Sequence, residues 1–256
     1  MAVNFMRSLL LAAVSFAVCS VLAIPTNSSL ERRARAQVYT RCSVPNTVAL
    51  TFDDGPYIYL KDIVNALDNA GAKGTFFFNG NNYDCIYSQA GADRVKYAYS
   101  HGHQVASHTW SHKDLTTLSS DKIHDEMWKV EQALVKITGA NPAFMRPRNL
   151  WELQQPGSRC LGCSWAISGY LGFRDSVGAS VQTSKNLYNN IINKHPSTIL
   201  ALNHETYETT AHQVLPYAIQ RLKSAGYRLV TLAECVGKPP YQSVVAPKAR
   251  DSTWHC

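Results

Sequence analysis

The sequence predicts an α/β fold built on a parallel sheet, and among such folds a (β/α) barrel. Three observations carry this. Short apolar runs that read as strands alternate with helix-like stripes along most of the chain. Helix-Gly-strand joints recur at Gly71 and Gly226. Asp53, Asp54, His108, Arg146 and His204 all fall at the carboxyl ends of strand candidates, where α/β barrels gather their chemistry.

Each element has a local reason. Val48-Ala49-Leu50-Thr51-Phe52 is a short buried strand that runs into Asp53-Asp54 and a Gly55-Pro56 breaker. Leu60, Ile63, Val64 and Leu67 fall at i, i+3, i+4 and i+7, which predicts a helix stopped at Gly71. Gly74–Phe78 is the second strand, Arg94–Ser100 a helix, and His103–Ser107 the third strand. A long helix follows, capped by Ser119 or Ser120, with Asp121 at its positive end and Ile123, Met127, Val130 and Leu134 as its apolar stripe; Gly139 ends it. Ala143–Pro147 is a strand candidate, Leu187–Asn193 a helix, and Ile199–Leu202 a strand ending at Asn203-His204-Glu205. Leu215, Ala218, Ile219 and Leu222 form the last helical stripe, and Tyr227–Leu232 the last strand.

Two adjacent carboxylates at a strand end are costly unless a cation offsets them. His108 and His112, four apart, can place both imidazoles on one side of a turn. Two imidazoles and one carboxylate, with a position left open, suit Zn²⁺ or another divalent ion such as Co²⁺ in a hydrolytic site. The second carboxylate then stays free to accept a proton from water activated at the metal. His204, at another strand end, is a candidate general acid, and Arg146 is placed to offset the free carboxylate. Trp110, Tyr57 and Tyr59, close to these residues, can stack on sugar rings, although aromatics there also serve as core.

Thr51-Phe52-Asp53-Asp54-Gly55-Pro56 and His108-Thr109-Trp110-Ser111-His112 resemble the first two motifs of the polysaccharide deacetylase family, and Leu200–Glu205 is similar to its fifth. The chain from residue 41 onward resembles secreted fungal-type chitin deacetylases. The resemblance implies an irregular (β/α) barrel. It makes Asp53 the general base, Asp54, His108 and His112 the metal ligands, and His204 the general acid. Arg146 would orient Asp53, and Leu202 would line the acetyl pocket. The implied reaction is hydrolysis of the acetamide on N-acetylglucosamine polymers, chitin or chitin oligosaccharides, with release of acetate. An acetyl xylan esterase of the same mechanism is the alternative, and a glycan-binding relative with impaired catalysis is a further one.

The pattern breaks after Pro147. The family's third motif runs Arg-Pro-Pro-Tyr-Gly or close to it, whereas Arg146-Pro147 is followed here by Arg148-Asn149-Leu150-Trp151-Glu152. Composition then turns to Gly, Ser, Cys and Gln until the resemblance resumes at Asp175. Codons exist for Leu150–Gln155 that, read one nucleotide later, spell Tyr-Gly-Asn-Tyr-Asn-Asn. Residues 148–174 are therefore read as a frame-disrupted segment, and Cys160 and Cys163 are assigned to neither metal nor bridge. A gene whose codons cannot encode that alternative sinks this reading. If the chain exists as written, weak or absent turnover is expected.

The flanks complete the expectation. Arg7 and the apolar run Leu9–Ala23 read as a signal peptide (residues 1–23), residues 24–40 as a pro-segment or linker, 41–240 as the catalytic domain, and 241–256 as a tail. Asn27-Ser28-Ser29 is a glycosylation sequon. The net charge of +7 owes four charges to Arg32, Arg33, Arg35 and Arg41, and with no basic patch elsewhere nucleic acid is not implied. The apolar run is short for a membrane span. A secreted address favours disulfides, with Cys42–Cys235 and Cys85–Cys256 as the preferred pairs. Oligomeric state leaves no trace in the sequence.

Overall fold

Strand β2 (Thr47–Gly55) is buried along its whole length, and the rest of the sheet is laid out from it. The computed structural model describes residues 37–148, 165–167, 171–172 and 178–256. The signal-peptide reading and most of the suspect segment after Arg148, Cys160 and Cys163 included, lie outside those residues, whereas Trp165–Ile167 and Leu171–Gly172 of that segment are strands.

In chain order the elements are β1 (Gln37–Tyr39), β2, α1 (Leu60–Asn69), β3 (Thr75–Phe78), α2 (Gln89–Ser100), β4 (Gln104–Ser107) and α3 (Ser120–Thr138). There follow β5 (Ala140–Pro142), β6 (Phe144–Met145), β7 (Trp165–Ile167), β8 (Leu171–Gly172), α4 (Val181–Lys194) and β9 (Thr198–His204). The chain closes with α5 (Leu215–Ser224), β10 (Arg228–Val230), α6 (Leu232–Val236) and β11 (Tyr241–Val244). The main sheet runs β1-β7-β6-β4-β3-β2-β9-β8, every pair parallel. β9 covers one edge of β2 from Thr47 to Asp53. The other edge is shared, with β10 on Thr47–Ala49 and β3 further along. Among the described residues the main path ends at β1 and β8, which do not pair with each other, so the barrel is irregular and open.

Alternation along the strands separates two cores. Val48, Leu50, Phe52, Phe76, Phe78, Val105 and Ile199 face the helices, where they meet the buried stripes of α1, α3 and α5. Ala49, Phe77, Ala106, Phe144 and Leu200 face the barrel interior. Helix α6 plugs that interior with Leu232, Ala233, Cys235 and Val236. Its first amides bind Thr75 Oγ1 at 2.9 Å and Gln104 Oε1 at 2.8 Å, which places it at the amino end of β3 and β4. The carboxyl ends of the same interior rows are left for the site.

Several expectations shift. Helix α2 begins at Gln89 rather than Arg94, because Ser88 caps it by accepting from the Gly91 amide. Helix α4 spans Val181–Lys194, longer than the apolar positions suggest, with Ser180 as its cap. The expected strand at Tyr227–Leu232 stops at Val230, since Thr231 caps α6. Gln37–Tyr39, at the end of the expected linker, pairs with β7. The expected tail is tied down: β11 pairs antiparallel with β5, Trp254 is buried against the helix-side core, and Cys256 is bridged to Cys85. Cys42 is bridged to Cys235, so both preferred pairs are formed. No helix among the described residues is long and apolar enough to cross a membrane.

Candidate functional site

Backbone hydrogen bonds continue the sheet ladder past its strands and bring the site residues level. The His108 amide donates to the Phe78 carbonyl at 2.8 Å, the Arg146 amide to Ser107 at 2.8 Å, and the Glu205 amide to Asp53 at 3.2 Å. Asp53 and His204 are register partners across β2 and β9. Leu202 lies two residues before His204, so both point to the same, half-buried face.

Asp53 and Asp54 divide at the strand end. Asp54 takes φ 73°, and this reversal turns its side chain away from the strand alternation. Asp53 Oδ1 accepts from Arg146 Nη1 at 2.6 Å, and both residues are within 2% of full burial. The guanidinium lies 4.3 Å from the centre of the Phe77 ring, in the layer below.

Asp54, His108 and His112 come together as one cluster, with one ligand atom from each within 4.8 Å of the others. Asp54 Oδ1 stands 3.5 Å from His108 Nε2 and 3.4 Å from His112 Nε2. That oxygen is buried and, among the described residues, has no hydrogen-bond partner. An orphaned carboxylate oxygen facing two imidazole nitrogens is what a divalent ion would satisfy. The residues therefore fit a metal. His108 Nδ1 donates to the Arg146 carbonyl at 2.7 Å, which turns Nε2 toward the cluster.

Burial alone would raise Asp54, but His108, His112 and His204 together bring its carboxyl below the ordinary value. Burial alone would lower His108, but Asp53, Asp54 and the Arg146 carbonyl outweigh it and raise the imidazole. Burial and the neighbouring His108 push His112 down to about 4. His112 is thus neutral at pH 7, the form in which an imidazole binds metal.

The family model for polysaccharide deacetylases matches residues 40–151. A chitin deacetylase from Pestalotiopsis sp is 34% identical over 207 residues, 78% of this chain and 67% of that one. The chain belongs to the polysaccharide deacetylase family. A chitin deacetylase from Colletotrichum lindemuthianum is 32% identical over 241 residues, covering 88% of this chain and 94% of the relative. The solved structure of the chitin deacetylase from that fungal pathogen superposes with a TM-score of 0.73 at 30% identity, over 87% of this chain and all of that one. Membership makes this chain a hydrolase of the deacetylase class, and the Asp54–His108–His112 cluster is a site that can hold the metal such enzymes depend on.

The Trp110 ring lies over Gly80, where any Cβ would overlap it, and its centre is 6.1 Å from that of Tyr87. Lys129 Nζ sits 6.0 Å from the ring centre. Tyr57 is half-buried beside Tyr83 and Tyr59, with ring centres 5.4 Å and 6.0 Å away. The His204 ring meets Tyr207 edge-on at 6.1 Å.

Three residues of this deacetylase site escaped sequence reasoning. Asn79 Nδ2 donates to the carbonyls of His108 at 2.6 Å and Thr109 at 2.9 Å. Glu205 is fully buried, its Oε1 accepts the Tyr57 amide at 2.7 Å, and burial holds its carboxyl well above the carboxylate range. Glu126 reaches the loop between the two histidines from α3. For Asn79 and Glu205 a signal existed: each directly follows a strand-like run at its carboxyl end.

Proposed function

We propose that this chain hydrolyses the acetamide of N-acetylglucosamine polymers of the chitin class and releases acetate. The observation that carries the reading is the separation of two adjacent carboxylates: Asp53 is paired with Arg146, while Asp54 stands with two imidazoles. The sequence likeness to chitin deacetylases over most of the chain supports the substrate class.

In this reading Asp54, His108 and His112 hold a divalent ion, with Zn²⁺ favoured by two imidazoles and one carboxylate. When bound, the ion supplies Lewis acidity for water and for the acetyl oxygen. Asp53 is the general base. Arg146 occupies its Oδ1 and leaves Oδ2 to take the proton of the attacking water as the new carbon–oxygen bond forms. His204, in register with Asp53, delivers a proton to the amine nitrogen as the carbon–nitrogen bond breaks. Leu202 offers a half-buried wall for the acetyl methyl. Tyr57 with the exposed Tyr83 offers aromatic faces for the sugar, and Trp110 backs the loop that carries the histidines. Two disulfides and the leader-like start of the sequence support a secreted protein.

The test is acetate release from chitin oligomers and from acetylated xylan, with and without chelator. Chelator-sensitive release from the chitin oligomers is expected, and Asp53→Asn should abolish it while zinc stays bound. Release from xylan alone would make the chain an esterase. Zinc binding without turnover on either polymer would favour the impaired relative suggested by the break after Pro147.

A further inference from the structure

The two histidines of the cluster are held by different parts of the chain. His108 directly follows strand β4, and its ring is fixed by the Arg146 carbonyl. His112 lies at the far end of a loop with an unusual backbone. Thr109 takes φ 72° and His112 takes φ 53°, the left-handed region that residues with a Cβ seldom occupy. The first half of the loop is tied to the β3 side, where the Trp110 carbonyl accepts from the Gly80 and Asn81 amides at 3.0 Å and 2.7 Å. The second half is tied to α3. The Ser111 amide donates to Glu126 Oε2 at 2.7 Å, and the Ser111 hydroxyl donates to Oε1 at 2.6 Å. Glu126 is 8% exposed, so both bonds are sheltered from water.

We propose that Glu126 is a positioning residue for metal binding. Its carboxylate grips Ser111 and so fixes the backbone of His112, with Nε2 3.4 Å from Asp54 Oδ1. The helix does not need Glu126 for its own docking, because Ile123, Met127, Val130 and Leu134 bury its stripe independently. Loss of the carboxylate therefore releases the loop and leaves α3 in place. Glu126 acts through Ser111 and touches neither ion nor substrate.

This rests on the metal reading above, and zinc affinity tests it without reference to any substrate. Zinc is competed against a chromophoric chelator on the full chain, with the melting of the zinc-free protein followed in parallel. Glu126→Ala is expected to weaken zinc about 10–100-fold, as losses of supporting contacts around a metal do. Glu126→Gln should stay within about three-fold, since its amide can accept from the Ser111 amide and donate to the hydroxyl. Ser111→Ala, a milder variant that serves if Glu126→Ala does not fold, should weaken zinc by roughly 3–10-fold through loss of one of the two bonds. In a His112→Ala background the effect of Glu126→Ala should vanish. Parent-like zinc binding by Glu126→Ala or Ser111→Ala overturns this inference alone, as does an undiminished effect without His112. A parent chain that binds no zinc overturns the metal reading, and this inference with it.

Discussion

Replacing Arg146 by methionine tests the buried ion pair on which the proposed base depends. Arg146 Nη1 lies 2.6 Å from Asp53 Oδ1, and the two residues are 1% and 2% exposed. Among the described residues the other guanidinium nitrogens, Nε and Nη2, have no hydrogen-bond partner, and the pair with Asp53 is the one ion pair of the charge in the described site. Methionine keeps a flexible apolar side chain and removes the guanidinium that pairs with Asp53 and lies over Phe77. Asp53 is then left buried beside Asp54 without its cation. Removing one partner of such a pair costs about 3–5 kcal/mol. With a urea dependence of about 3 kcal/mol per molar, the unfolding midpoint falls by about 1–2 M. Asp53→Asn strands the guanidinium and should cost a similar amount. The double variant carries neither charge, and replacing a buried pair by neutral groups is often close to neutral, so it should be more stable than either single variant. Its turnover should not return, because the base is gone. Urea unfolding of chelator-treated protein gives the stabilities, and acetate release gives the activity. Additive losses in the double variant would refute the reasoning.

Three further outcomes follow from the packing. A Cβ at Gly55 would overlap the Glu205 carboxyl, so Gly55→Ala should cost about 1–3 kcal/mol, and adding Glu205→Ala should recover part of that melting temperature. Burial holds Glu131 up at about 7, above its ordinary 4.5; its folded pKa is the higher one, so stability is full below about 4.5 and is lost as pH rises to about 7. Glu131→Gln should therefore gain about 1–3 kcal/mol at pH 8 and nothing at pH 4, and an equal shift at both would contradict this. The bridges Cys42–Cys235 and Cys85–Cys256 span 193 and 171 residues, so removing either should lower unfolding stability by up to about 5 kcal/mol, read as a drop in melting temperature.

The parts of this fold that the sequence made legible share a physical cause. Strands buried on both faces are continuous apolar runs, and helices docked on one face carry a 3.6-residue stripe, so β2, β3, α1, α3 and α5 were readable. Helix α2 was half-read because its first turn buries Gly91 and Ala92, which carry little apolar signal. Helix α6 has five residues, too short for any period, and β5 with β11 exists only as a pairing across 100 residues of chain. The site followed the same logic. Asp53, Asp54, His108, His112, Arg146 and His204 are chemically distinctive and sit where strands end. Glu126 was silent because its partner Ser111 lies 15 residues away and nothing in the spacing links the two. The place of Trp110 between two histidines leaves sugar stacking and core packing both open, and its ring packs on Gly80 near Tyr87.

The most direct measurement is a zinc titration of chelator-stripped protein, scored by acetate release from chitin oligomers. The account requires an inactive stripped protein whose activity rises to a plateau at about one ion per chain, the content of a single three-ligand site. Stripped protein that releases acetate as fast as the restored protein would contradict it.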